Sequence, residues 1–124
     1  METKNEILNT VTEFIDGADE SNLERLDKVL HPAFRNVQQG FFDQAGVFIN
    51  DKEKYLTLIA EKKFGGMPRK MQVLSVDILP DMAMVAVKLE SPQLIFHSFI
   101  SLVFEDRAWK VIGNFPHVEV AISA

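Results

Sequence analysis

The stretch Leu94-Ile95-Phe96-His97-Ser98-Phe99-Ile100-Ser101-Leu102-Val103-Phe104 decides how the rest of the chain must be arranged. Read with the two-residue period of a strand, one side carries Leu94, Phe96, Ser98, Ile100, Leu102 and Phe104, and the other carries Ile95, His97, Phe99, Ser101 and Val103. Both sides are mostly apolar. An antiparallel strand with one face in water alternates polar and apolar side chains, so this strand is expected to be covered on both faces.

Its flanks read the same way. Met71 to Leu79, Met82 to Glu90 and Ala108 to Val120 are strand-like runs, and the separators Pro80-Asp81, Ser91-Pro92 and Glu105-Asp106-Arg107 are short and turn-prone. Connections of that length join antiparallel neighbours, so the second half of the chain is expected to form a meander. Met82, Met84, Ala86, Lys88 and Glu90, opposed to Ala83, Val85, Val87 and Leu89, repeat the two-sided tendency more weakly.

Upstream the period changes to that of helices. Ile7, Leu8, Val11, Phe14 and Ile15 line one face of a helix expected from about Thr3 to Asp16, with Thr3 and Glu6 as a capping box and Gly17 as its stop. Ser21 with Glu24 opens a second helix that buries Leu23, Leu26, Val29 and Leu30 and ends before Pro32, leaving His31 at its exit. Asn50 with Glu53 opens a third, carrying Tyr55, Leu56, Leu58 and Ile59 and stopping at Gly65-Gly66. Between them, Phe34 to Ile49 mixes phenylalanines with turn residues, as a short strand or hairpin would. The expected fold class is α+β, a single domain over residues 1–124, with three N-terminal helices packed on a curved antiparallel sheet. Three helices cover only one face of that sheet. With no chain to spare, the economical cover for the other is a second copy, so a homodimer through the sheet face is expected.

Composition narrows the partners. The 124 residues carry a formal charge of -5 and no cysteine. An acidic chain repels phosphate backbones, so no nucleic acid partner is expected. The lack of cysteine removes disulfides, thiolate metal sites and thiol nucleophiles. The longest apolar runs are too short to span a bilayer, so no membrane partner is expected, and the localisation expected is cytoplasmic.

Residues that could carry chemistry are few. His31, His97 and His117 have neither the helical nor the strand spacing that brings imidazoles together, so no metal is expected, and with no Gly-rich phosphate loop or dinucleotide fingerprint no cofactor is expected. Asp27, four residues before His31, offers that side chain a local partner as an alternative to a pocket role. A base of the isomerase kind needs a carboxylate in an apolar cavity facing a donor such as a tyrosine. Asp16, Asp43, Asp77 and Glu90 fall at turns or element ends instead, Glu119 is close to the C-terminus, and the lone Tyr55 is on the third helix. The Lys62, Lys63, Arg69 and Lys70 cluster reads as a solvated tip. Ten of the twelve aromatics are phenylalanine. Most must be core, and the remainder suit the wall of an apolar cavity.

Phe14, Gly17, Leu23 and Leu30-His31-Pro32-Ala33-Phe34, with Ser101-Leu102-Val103 and Trp109-Lys110-Val111-Ile112, give the chain a resemblance over nearly its whole length. It resembles the cone-shaped nuclear-transport-factor-2-like superfamily, closest to its lumazine-binding and SnoaL-like polyketide cyclase group. The resemblance implies a pocket between the helices and the concave sheet face, open at one end of the cone. It also implies that Ser98 and Asn114 stand where relatives often carry an aspartate and a lysine, so that acid–base pair is missing here. The expected ligand-binding residues are Phe14, His31, Phe34, Phe42, Tyr55, Phe96, Ser98, Asn114 and Phe115. Three functions stay open: a binding protein for an apolar or aromatic small molecule; an isomerase, dehydratase or cyclase using a carboxylate or His31 as base; and a non-catalytic dimeric scaffold.

Overall fold

The computed structural model describes residues 2–41 and 44–121. Helix α1 (Glu2–Asp19) runs past the glycine expected to stop it. Gly17 is instead a contact point, because a Cβ there would lie 3.1 Å from the side chain of Leu26, so its absence lets the next helix approach. The chain leaves α1 at Ser21, whose φ is 53°. That strained turn moves the cap one residue along: Asn22 accepts from the Arg25 amide and starts α2 (Leu23–Val29). The same one-residue displacement occurs at α3 (Lys52–Ala60), where Asp51 rather than Asn50 accepts from the Lys54 amide.

Six strands form one sheet: β1 (Leu30–Phe41), β2 (Gln44–Asp51), β3 (Lys70–Ile78), β4 (Met82–Glu90), β5 (Leu94–Glu105) and β6 (Ala108–Val120), in the order β2-β1-β6-β5-β4-β3. The last four strands are the meander expected, and β1 with β2 is the hairpin. Among the described residues only β1 and β6 pair in parallel, which carries the hairpin onto the far edge of the meander. Strand β1 begins at Leu30, so Pro32 lies inside a strand and His31 is a strand residue, not a helix exit.

The helices pack on one face. Ile7, Val11, Phe14 and Ile15 of α1, Leu26 of α2 and Ile59 of α3 meet Val85, Val87 and Leu89 of β4, Ile100 and Leu102 of β5 and Val111 of β6 in a single core. This is an α+β chain with helices on a curved sheet. Beyond the helices the opposite face is bare in the single chain, with Met82, Met84, Phe99, Phe115, Val47 and Ile49 all exposed. Among the described residues, no helix is long and apolar enough to cross a membrane.

One irregularity in β6 matters for the site. Leu102 pairs with Val111, but the preceding Ser101 pairs with Gly113, so Ile112 is an extra residue. The bulge reverses the parity of the strand. Trp109 and Val111 face the helices before it, and Asn114 faces them after it.

Candidate functional site

The core does not fill the space between helices and sheet. Toward the β5 start and the β6 end, a cavity of about 570 Å³ remains open at one side. Its helical wall is Phe14, Ile15 and Ala18 from α1 with Tyr55 from α3, and its sheet wall is Leu89, Phe96, Ser98 and Asn114 with Asn36 from β1. Exposed Lys63 and Glu119 stand at its edge. A largely apolar hollow with a few fixed polar groups is the general form of a small-molecule site.

The third wall comes from the segment after α3. Gly65 has φ +67° and comes so close to α1 that a Cβ would sit 2.2 Å from the Ala18 carbonyl, so only glycine fits. The next amide, Gly66, donates to that carbonyl at 2.9 Å. Arg69 completes the seam: its backbone amide donates to Asp19 Oδ2 at 3.1 Å and its Nε to Oδ1 at 2.7 Å. The guanidinium carbon lies 4.7 Å from the centre of the Phe96 ring, in cation–π contact at the cavity wall. Burial pushes the Asp19 carboxyl above its ordinary value, against the pull of Arg69. Both its oxygens are engaged by one arginine, so it serves as a tether.

Burial also pushes the Tyr55 phenol well up, so it stays neutral and able to donate. Its ring rests between Phe14, at 6.0 Å, and Phe34, at 5.1 Å. On the sheet floor, Asn36 and Asn114 are register partners across β1 and β6 and are 1% and 8% exposed. Asn114 Nδ2 donates to Asn36 Oδ1 at 2.8 Å. The second amide group of each, Asn36 Nδ2 and Asn114 Oδ1, has no partner among the described residues.

Of the residues read from sequence, Phe14, Tyr55, Phe96, Ser98 and Asn114 meet at this cavity. Phe34 does not line it. The ring is fully buried behind Phe14 and Tyr55, packed edge-on to both, and supports them. His31 is corrected: it lies outside the cavity, with its Nδ1 accepting from the Ala33 amide and its Nε2 therefore free to donate to Glu105 in the β5–β6 corner. Its partner is not Asp27, which is bound to Lys52. Phe115 is also corrected. The β6 bulge turns it to the outer face, 42% exposed, opposite Phe99. Phe42 lies outside the described residues.

Sequence reasoning missed Asn36 and Arg69. The first had a signal, since Phe34, Asn36 and Gln38 occupy alternate positions of β1. Arg69 had none. It falls in a basic run that suits a solvated tip, and its partner Asp19 lies 50 residues away.

Comparison with known proteins agrees with this geometry. No curated protein matches the chain. Among solved structures, it is similar to an NTF2-like protein of unknown function from Silicibacter pomeroyi, with a TM-score of 0.82 and 12% identity over 95% of this chain and 97% of that one. One from Shewanella baltica has a TM-score of 0.82 at 12% identity, covering 97% and 96%. An NTF2-like protein from Cytophaga hutchinsonii has a TM-score of 0.79 at 16% identity, covering 96% and 100%. At such identities these likenesses establish the fold. The family model described as "Putative lumazine-binding" matches residues 2–115, so the chain belongs to that family, and its fold is the one those NTF2-like structures share.

Proposed function

We propose that the protein binds a small, largely aromatic molecule in the 570 Å³ cavity without transforming it, and that it works as a homodimer. The observation carrying this reading is the make-up of the wall. Phe14, Ile15, Leu89 and Phe96 offer apolar surface, and Ser98, Asn36, Asn114 and Tyr55 offer neutral hydrogen-bonding groups. A general base of the isomerase kind is a carboxylate poised in that hollow. Asp19 is held at both oxygens by Arg69, and Glu119 is exposed at the edge. The family description points toward a small-molecule ligand as well.

The twin subunit follows from the outer face. Phe99 and Phe115 are 57% and 42% exposed side by side, flanked by Met84 on β4. An exposed apolar sheet face is best buried against its own copy about a two-fold axis. A cysteine-free chain suits the reducing cytoplasm, where we place it.

Native mass spectrometry of protein purified without stripping tests the reading. The expected mass is that of two chains with up to two small guests, released on denaturation and identifiable by fragmentation. A bare monomer that also takes up no aromatic compound from a soluble fragment library would overturn it.

A further inference from the structure

Arg69 does more on the cavity wall than hold Asp19. A guanidinium owns five N–H donors and no acceptor. Its Nε donates to Asp19 Oδ1 at 2.7 Å and its flat face lies 4.7 Å from the centre of the Phe96 ring, while the four donors on Nη1 and Nη2 have no hydrogen-bond partner among the described residues. The amide groups of Asn36 and Asn114 are sealed, but these two nitrogens keep accessible surface on a side chain that is only 12% exposed. Held from one edge and one face, the free end of the group is fixed in direction. Tyr55 is a second donor on the same wall: its hydroxyl has no partner among the described residues, burial keeps it protonated, and the charges of Arg69 and Asp19 act on it. The charged residues lining the cavity are Lys63 and Arg69 against Glu119, in a chain whose formal charge is -5.

Resting on the binding reading above, we propose that the guest is an aromatic acid, its carboxylate seated on the Nη1–Nη2 fork of Arg69 with the Tyr55 hydroxyl as a third donor. Two parallel N–H groups match the two oxygens of a carboxylate, and such charged hydrogen bonds are roughly twice as strong as neutral ones. Asp19 does not pre-empt the site, because it engages Nε and the main-chain amide and leaves the terminal fork unspent. Phe14 and Leu89, apolar members of the same wall, supply contact for the ring. An ammonium group matches this pole poorly, since it brings only donors to donors.

Naphthalene-2-carboxylate and naphthalene-2-carboxamide, close in shape and different in charge, test this by calorimetric titration of the intact protein at pH 7. The carboxylate should bind at least about tenfold tighter, although the net charge of -5 repels it at long range. That preference should vanish in the Asp19→Asn, Arg69→Gln double variant, which neutralises the pair together, while the carboxamide still binds. Tyr55→Phe should weaken the carboxylate about threefold, and no change there would overturn its place as a donor. Equal binding of the two probes by the unaltered protein, or tighter binding of the carboxamide, would overturn the acid and leave the cavity standing as a binding site. A carboxylate preference that persists in the double variant would overturn the role of Arg69. Binding of neither probe at millimolar concentration would contradict the cavity reading and the acid with it. The comparison in the unaltered protein decides the matter even if the double variant does not fold.

Discussion

The two ends of strand β5 lie on one sheet and face the same helices, yet one is solid and the other hollow. Ile100 and Leu102 are fully buried, and Phe104 closes that end against Trp109 with ring centres 5.3 Å apart. A few residues earlier, Ser98 and Phe96 look into open space. A small side chain at position 98 and a segment propped on Gly65 account for the difference. Stability and the proposed recognition thus draw on different stretches of the same strand, and substitutions in one should leave the other largely untouched.

The packed end should give the largest effect. Trp109→Ala removes a buried indole and its contact with Phe104, and is expected to lower unfolding free energy by about 3–5 kcal/mol in urea titration. A loss below 1 kcal/mol, on the order of a surface change, would break the contrast. Next comes the outer face, which shares β5 but touches neither core nor cavity. Phe99→Glu with Phe115→Glu should weaken self-association on the order of a hundredfold in analytical ultracentrifugation, with the fold retained.

At the hollow end, Ser98→Leu should keep the fold and cost roughly tenfold in ligand affinity by occupying the cavity. Smallest of all should be a change on the helical surface, remote from both ends. Arg25 holds Glu13 at 2.7 Å and its hydrogen bond lowers the Glu13 carboxyl below the ordinary 4.5. A depressed carboxyl stabilises above its unfolded value and stops doing so as pH falls through its folded one. Since the pair is largely open to solvent screening, Glu13→Gln should cost roughly 0.2–1 kcal/mol at pH 7, and the gap should close as pH falls through and below the ordinary carboxylate range in parallel thermal melts.

How much of this was legible beforehand depends on whether the signal was local. The apolar run of β5 announced a long strand with one face in the core, its expected cover on the other face being absent from the single chain, and short turn-prone separators announced the meander. Phe14, Tyr55, Phe96, Ser98 and Asn114 came together because helix and strand periods carry through regular segments. Phe115 went astray because alternation counts residues, and the extra Ile112 resets the count. Its ring lies over Gly113, where a Cβ would come within 3.0 Å of it, so glycine and bulge act together. His31 was misplaced because the proline that should end a helix sits inside β1. The Asp19–Arg69 tether joins residues distant in sequence, and nothing in either local stretch predicts it.

The most direct measurement pits the hollow against the outer face. An environment-sensitive naphthalene dye should bind the unaltered protein saturably, at one site per chain. Its affinity for that site should fall roughly tenfold in Ser98→Leu and stay unchanged in Phe99→Glu with Phe115→Glu. Dye binding that is unchanged in Ser98→Leu and disappears with the outer phenylalanines would put recognition on the wrong side of the sheet and contradict the account.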